Sequence, residues 1–278
     1  MSVATFIPEV WAAELRTAYE KALVYGNLVN RDYEGAISQA GDTVHIGHIG
    51  DPTVANYTKG TTQVVPQELT TTDTTLVVTQ AKYFAFKVDD VDRRQAAGNL
   101  LTVGMRRAAY RLKDAADAYI ASMYTAVDAG NVTDVVNVTT GDAAYEALVN
   151  LGVILDEDNV PSDGRWVVCP PWFTALLATS KYATNPAFAG ASAAIQSGAV
   201  GELAGFRVFK SNNVPVLSGS TYAVMAGTSD AIAFADQLNN VEALRMQNEF
   251  ADMVRGLHLY GAKVIEPTGL AVLKASRT

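Results

Sequence analysis

The sequence predicts an α+β protein, and three features support this class. The longest helical signal runs from Val88 to Val127, where apolar residues recur every three or four positions. A tract rich in threonine and valine precedes it and favours extended backbone. After the helix, short apolar runs separated by turn residues indicate a mixture of strands and helices.

Composition excludes several classes of protein. The chain has 278 residues, of which 49% are hydrophobic, so it can bury a large core without disulfides. Its formal net charge is -8 and it has no dense run of Lys and Arg, which argues against a direct grip on nucleic acid. Cys169 is the single cysteine, and its apolar neighbours predict a buried thiol. We expect neither a signal peptide nor a membrane span, since no apolar run approaches 18 residues.

Residues 1–40 are predicted to form an arm. Trp11, Leu15, Tyr19 and Leu23 recur every four residues, which makes one side of a short helix apolar. The polar stretch that follows has few core-forming residues. We therefore expect this arm to pack on a neighbouring subunit or another domain.

Residues 41–88 are predicted to form a long projecting hairpin. Val44 and Ile46 alternate with polar residues in its first strand, and residues 82–88 alternate in the same way in its second. The intervening tract of roughly 30 residues favours extended backbone but cannot fill a core. Within that tract, the candidates for contact with a neighbouring subunit are Tyr57, Lys59, Val64 and Val65.

The helix itself is predicted to be continuous from Leu101 to Val127, about 40 Å at 1.5 Å per residue. Its apolar stripe comprises Leu101, Met105, Ala108, Leu112, Ala115, Tyr119 and Met123. Its opposite face, predicted to lie in solvent or against a polar partner, carries Arg106, Arg107, Arg111, Lys113, Asp114 and Asp117. A helix of this length must lie across a broad surface, which we expect to be a sheet.

The remainder of the chain alternates between helices and strands. We expect a helix from Asp142, a buried strand at 165–170 and a helix that begins at Pro171. Four short strands are then expected within residues 206–247. Two final strands, joined by a turn at 266–269, are predicted to form a sheet with the long helix.

The sequence contains no recognisable catalytic, metal-binding or cofactor-binding motif. His45 and His48 differ by an odd number in a strand pattern, so they should point to opposite faces. The glycines from Gly198 to Gly205 lack the spacing of a dinucleotide fingerprint and the Lys-Ser/Thr of a phosphate loop. We therefore expect no enzyme activity, no catalytic residues, no metal site and no cofactor.

Several segments of the sequence, and their order, resemble the major capsid proteins of tailed bacteriophages, in particular those of phages that infect actinobacteria. They are FIPEVWAAEL from Phe6, ALVYGNLVNRDYEG from Ala22, GDTVHI from Gly41, QAKYFAFKVDDVD from Gln80 and AADAYIASMY from Ala115. None of these is a chemical motif. The resemblance lies in the residues of these segments and in their order over nearly the whole chain.

This resemblance implies the Hong Kong ninety-seven capsid fold. Its expected parts are an N-terminal arm at 1–40, an extended hairpin called the E-loop at 41–88, the P-domain with its spine helix and connection at 89–139, an A-domain at 140–228, and C-terminal strands at 229–278 that return to the P-domain. Trp11, Leu15 and Tyr19 of the arm then join the hairpin residues as candidate contacts between subunits.

The implied function is that of a major capsid protein. Such subunits self-assemble through hexamers and pentamers into an icosahedral shell that encloses double-stranded DNA without sequence-specific binding and without a membrane. Portal and scaffolding proteins are further expected partners. The expected location is the virion capsid, assembled in the host cytoplasm.

Three other readings remain open from the sequence alone, and the last of them is an enzyme with an unrecognised site, which no motif supports. An encapsulin-like nanocompartment shell would share the fold and differ in its cargo. A β-rich adhesive or tail-associated structural protein would explain the threonine and valine content, but would be fibrous or trimeric instead of closed.

Overall fold

The computed structural model describes residues 24–33, 43–50, 52–60, 63, 66–89, 100–181 and 201–277. Within these described residues the α-helices are α1 (Leu100–Ala121), α2 (Gly141–Glu157) and α3 (Pro171–Thr179). Its strands are β1 (Thr43–Ile49), β2 (Thr71–Val77), β3 (Gln80–Asp89), β4 (Val132–Asn137), β5 (Trp166–Cys169), β6 (Glu202–Leu203), β7 (Phe206–Lys210), β8 (Val216–Ser218), β9 (Thr221–Gly227), β10 (Ile232–Arg245), β11 (Ala251–Val264) and β12 (Leu270–Ser276). Among the described residues, no helix combines the length and the apolar character needed to cross a bilayer.

Helix α1 confirms the predicted long helix but is shorter. It ends at Ala121, where a 3₁₀ turn over Ser122–Ala126 takes over. Its buried stripe is also rotated relative to the prediction and consists of Met105, Ala109, Leu112, Ala116 and Ile120.

Two residues of the predicted polar face are buried in the protein and not exposed to solvent. Lys113 and Asp117 are 6% and 3% exposed, whereas Ala108, Ala115 and Tyr119 are only half-buried. The helix is covered on two sides, by strands and by residues 24–28, so the buried arc is wider than one stripe. Sequence periodicity detects an apolar stripe, but it cannot detect a polar residue that is buried because it has partners.

A three-stranded antiparallel sheet lies beside α1 in the order β10-β11-β3. Phe84, Phe86 and Val88 of β3 face the helix, together with Val254 of β11. The two short strands expected within 232–247 are in fact the single strand β10, which continues through a register shift between Leu238 and Asn240. Such an irregularity interrupts the ladder locally, but pairing resumes beyond it, so the strand continues across polar residues that otherwise suggest a loop.

A second sheet has seven strands in the order β4-β12-β9-β5-β7-β6, with β8 paired to β9. One face packs on α2 and α3, and the other contributes Trp166 and Met225 to the core under α1. Because both faces are covered, β5 is buried at all four of its residues. The types and approximate starts of α2, α3, β5, β7 and β9 confirm the predictions for those segments.

The two C-terminal strands do not form one sheet with the long helix, as the sequence suggested. β11 pairs with β10 and β3, whereas β12 lies between β4 and β9 in the seven-stranded sheet. A 3₁₀ turn at Pro267–Gly269 separates the two strands. Strand partners this distant in sequence depend on the tertiary fold, and local pattern does not encode them.

We predict that Leu112→Asp lowers the free energy of unfolding by about 4 kcal/mol or more, because it places a carboxylate on the buried stripe at a position 5% exposed. Ala118→Asp, on the exposed side of the same helix, is the matched control and should change stability by less than about 1 kcal/mol. Urea unfolding followed by circular dichroism measures both. Equal losses would contradict the assigned orientation of α1.

Candidate assembly surfaces

The projecting hairpin predicted from the sequence is formed by β1 and β2. Its second strand is Thr71–Val77, so the prediction that residues 82–88 pair with β1 is wrong. Those residues belong to β3, which pairs with the 14-residue strand β11 instead. The threonine-rich segment therefore supplies a strand as well as the loop.

Beyond the paired strands, the two arms of the hairpin stay in register. Ile49 pairs with Thr71, and the next residue, Gly50, donates its N–H to Thr70 O at 2.8 Å. Three residues further, Thr53 donates its N–H to Gln67 Oε1 at 3.0 Å. This register places the tip at Lys59 and Gly60, and Gly60 has the positive φ of 83° that such a tight turn requires.

The distal hairpin, which we define as residues 52–70, is exposed at each of its described positions and carries apolar side chains. Val54, Tyr57 and Leu69 are 94%, 68% and 58% exposed. At about 3.3 Å per residue, an arm from Thr43 to Lys59 reaches at most about 55 Å from its base. Isolated exposed apolar residues are ordinary, but a projection this long cannot bury its own apolar side chains.

The base of the hairpin is held firmly against the body. Ile46, Leu76 and Val78 form a buried cluster with Ala233 and Leu259 of the three-stranded sheet. Gly261 permits this approach, because a Cβ there would lie 2.5 Å from Val77 O. The base is therefore rigid, while the apolar residues of the distal hairpin are left for another molecule.

Residues 24–30 lie within the predicted N-terminal arm, but Tyr25, Leu28 and Val29 are buried in the subunit's own core, and one carboxylate holds the start of this segment on α1. Asp117 Oδ1 accepts the N–H of Val24 at 3.0 Å and that of Tyr25 at 2.8 Å. Its Oδ2 accepts a hydrogen bond from Asn213 Nδ2 at 3.1 Å, and the same amide also donates to Asp114 Oδ1 at 2.9 Å. Burial raises the pKa of the Asp117 carboxyl, and the hydrogen bonds from Asn213, Tyr25 and Val24 oppose the rise.

Residues 30 and 31, which follow immediately along the chain, contact strand β10. Asn30 bridges to Ala233 in the manner of a parallel strand, since Phe234 donates its N–H to Asn30 O at 2.8 Å. Arg31 then forms an ion pair with Asp236 at 2.8 Å. Together these contacts fix the direction from which the N-terminal segment leaves the body.

Of the seven contact residues predicted from the sequence, two lie within the described residues. Tyr57 and Lys59 lie exposed on the distal hairpin and at its tip. The others lie outside the described residues: Trp11, Leu15, Tyr19, Val64 and Val65.

Sequence reasoning missed three residues that the structure brings forward. Val54 and Leu69 were overlooked, although they are isolated apolar residues in a polar tract just as Tyr57 is. Asp117 was placed on the polar face of the helix, but its role in holding residues 24–25 was not predicted, because an acid in mid-helix usually indicates exposure to solvent.

Cys169 and His45 are side chains of types that can take part in catalysis or metal binding, but here they have structural surroundings. Cys169 is fully buried, and burial raises the pKa of its thiol far above the ordinary value. His45 pairs with Asp73 across the exposed face of the hairpin. Within the described parts of the chain, no three His, Cys, Asp or Glu residues converge as metal ligands would.

Comparison with known proteins identifies the family. A family model described as phage capsid protein matches residues 70–273, from the hairpin's second strand to β12. The chain belongs to the phage capsid protein family. No curated protein sequence matches it.

Solved structures give the same result. A structure from Mycobacterium phage Che8 is 35% identical, with 91% of each chain covered and a TM-score of 0.77. The capsid structure of the Cyanophage P-SCSP1u is 15% identical, with 92% of this chain and 89% of that chain covered and a TM-score of 0.75. A virus-like particle from Pyrococcus furiosus is 12% identical, with 97% and 100% covered and a TM-score of 0.59. The last two show the fold alone, and the Hong Kong ninety-seven fold predicted for this capsid protein is confirmed.

We predict that Asp117→Ala lowers the free energy of unfolding by about 2–4 kcal/mol, because it removes the acceptor for two buried N–H groups and one amide. Asp114→Ala, which loses one hydrogen bond at a half-buried position, is the matched control and should cost less than about 1 kcal/mol. Denaturant unfolding of the two variants tests this. A similar loss in both would mean that Asp117 does not anchor residues 24–25.

Proposed function

We propose that this chain is the major capsid protein of a tailed bacteriophage and assembles through hexamers and pentamers into an icosahedral shell around double-stranded DNA. The observation that carries the proposal is the hairpin: a rigid base supports a long, exposed projection with apolar side chains near its tip. In a closed shell of identical subunits, each projection can be buried by a neighbour. Membership of the phage capsid protein family supports the same conclusion.

Burial of the distal hairpin by a neighbouring subunit would supply enough free energy for an assembly contact. Burying a valine, leucine or aromatic side chain contributes about 1.5–3 kcal/mol. Val54, Tyr57 and Leu69 therefore supply several kcal/mol per subunit before any hydrogen bonds are counted. Because every subunit contacts several neighbours, closure makes these moderate contacts mutually reinforcing.

The domain assignment is part of the proposal. Residues 41–88 would act as the E-loop, 89–139 as the spine helix and connection of the P-domain, 140–228 as the A-domain and 229–278 as the returning strands, with 1–40 as the arm. The β1–β2 hairpin over Thr43–Val77, the position of α1 and the α2/α3 layer support this division, whereas β3 pairs with β11 in the body and β12 lies in the seven-stranded sheet. The same proposal includes contacts with neighbouring subunits through Trp11, Leu15, Tyr19, Tyr57, Lys59, Val64 and Val65.

The expected partners follow from the role. Because a closed shell must receive its genome and form with a defined curvature, we propose portal and scaffolding proteins as partners. Assembly would take place in the host cytoplasm, and the protein would have no catalytic activity. The net charge of -8 supports enclosure of DNA without a strong grip on it.

A nanocompartment shell is the second candidate, because the fold is also that of the virus-like particle from Pyrococcus furiosus. The two functions differ in cargo. Particles purified from the native source should contain double-stranded DNA of uniform length if the phage role holds. Protein cargo without nucleic acid would favour the nanocompartment.

Electron microscopy of the purified recombinant protein, after separation by size, tests assembly directly. We expect closed polyhedral shells or rings of five and six subunits. Fibres, or a small compact oligomer, would contradict the capsid function.

We predict that the triple variant Val54→Ser, Tyr57→Ser, Leu69→Ser keeps the thermal unfolding temperature of the subunit, since these side chains are exposed, but no longer forms shells. The matched control is Thr53→Ser, Thr58→Ser, Thr70→Ser, which alters the same hairpin without removing large apolar side chains. Electron microscopy and sedimentation measure both. Normal shells from the apolar-to-serine variant would show that the distal hairpin is not an assembly contact.

A further inference from the structure

The positive charge of this chain is concentrated in one part of its sequence. Residues 82–113 contain eight of the 21 Lys and Arg residues but three of the 29 Asp and Glu residues. This part is therefore basic, although the chain as a whole has a formal net charge of -8. A charge asymmetry of this size is typical of a surface that meets an acidic partner.

The fold brings cations of this part together on the surface of α1 and β3. Arg106, Arg107 and Arg111 are exposed on α1, and Lys82 is exposed on β3. A groove of about 640 Å³ between the two elements is lined by Lys82, Arg107 and Arg111. Arg107 and Arg111 also line a second depression, together with Arg106. We call these four residues the basic patch.

The described acids beside the basic patch do not balance its charge. Asp89 lines the groove and Asp114 lines the second depression, where Asp114 accepts a hydrogen bond from Asn213 Nδ2 at 2.9 Å. Lys82, Arg107 and Arg111 form no ion pair with another described residue. The patch therefore keeps an excess of positive charge, which attracts a polyanion.

The basic patch and the base of the hairpin lie on opposite faces of the three-stranded sheet. Leu259 of β11 packs against the hairpin base, whereas its neighbour Tyr260 packs against Tyr119 of α1, with their rings 5.5 Å apart. Successive residues of a strand point to opposite faces of its sheet. A neighbour that buries the hairpin therefore does not have to cover the patch, which is left for the contents of the shell.

The chemistry of the patch fits a nucleic-acid backbone better than a protein surface. Arg107 and Arg111 are one helical turn apart, about 6 Å along the axis, and a guanidinium group matches the geometry of phosphate. Duplex DNA presents one negative charge for every 1.7 Å or so of its axis, so several cations at this spacing can each meet a phosphate. Among the described residues of α1, Tyr110 is the large apolar side chain that is exposed, which leaves little apolar area for a protein partner.

We propose that the basic patch contacts the phosphate backbone of the enclosed double-stranded DNA. The inference rests on the proposed shell function, because the shell brings the DNA to this surface. Contacts to phosphates carry no sequence information, so the DNA is held without sequence preference. Three or four contacts per subunit in an acidic chain give a weak and salt-sensitive interaction, which still allows the DNA to move during packaging.

A binding measurement with the recombinant full chain tests the patch outside the shell. Unassembled protein, separated by size, is titrated into a fluorescently labelled duplex of 30 base pairs and mixed sequence, and fluorescence anisotropy is followed at several salt concentrations. We expect the logarithm of the binding constant to fall with the logarithm of the salt concentration with a slope of about -3 to -4, as three or four phosphate contacts require.

Two variants with the same change in net charge locate the contact. Arg107→Glu with Arg111→Glu should weaken duplex binding at least tenfold. The matched control is Arg207→Glu with Lys210→Glu, which alters two exposed cations of β7 and should weaken binding less than threefold. The thermal unfolding temperature of each variant is measured alongside, so that a damaged fold is recognised.

A crosslinking experiment tests the same contact in particles purified from the native source. Formaldehyde joins lysine amines to nearby DNA bases, and mass spectrometry of the digested protein identifies the lysines that have reacted. In particles filled with DNA, we expect Lys82 to be crosslinked to DNA at least tenfold more than Lys210, which is exposed outside the patch.

Several results would overturn the proposal. Absence of duplex binding at low salt, or equal weakening by the two double variants, would mean that the patch is not a DNA contact. Binding of polyglutamate as tight as that of the duplex would assign the patch to an acidic protein. DNA-filled particles in which Lys82 reacts no more than Lys210 would refute the contact and leave the shell function standing, whereas particles without DNA would refute the phage function itself.

Discussion

The buried carboxylate of Asp117 is the interaction on which the arrangement of this subunit depends most. It lies on the central helix and receives hydrogen bonds from the start of the described chain at Val24 and Tyr25 and from Asn213. These partners lie more than 90 residues away in either direction along the sequence. A carboxylate can be buried at this cost because each of its oxygen atoms has donors, and the result joins three distant segments at one point.

Around that point the structure is organised by burial on both faces of the seven-stranded sheet. One face carries α2 and α3, while the other faces α1 and the segment that Asp117 holds. The last strand, β12, completes this sheet from its interior, between β4 and β9. The C-terminal residues are thus required for the core itself, and we expect the sheet to close only when the whole chain is present.

In contrast to this sheet, the hairpin is buried only at its base. Its base is packed against the three-stranded sheet through Ile46 and Leu76, but its distal part carries Val54 and Tyr57 into solvent. An element that is rigid where it starts and apolar where it ends is suited to contact between subunits.

Much of the local structure could be predicted from the sequence. The periodicity of α1, the proline that starts α3 and the alternation in β1 each follow from side chains close together in the chain. The segments that resemble phage capsid proteins also predicted the fold, and the comparison with known proteins confirms that fold. Of the exposed apolar residues on the distal hairpin, Tyr57 was named from the sequence but Val54 and Leu69 were not, because nothing in the local sequence distinguishes one such residue from another.

What the sequence by itself determined was therefore the type and approximate extent of most elements, and the family to which the chain belongs. Only the tertiary structure decided that β2, and not β3, pairs with β1, that Asp117 is buried, and that β11 and β12 enter different sheets. The physical reason is that hydrogen-bond partners distant in sequence are selected by the packing of the whole chain, whereas helical and strand periodicity reports only which face of a segment is apolar.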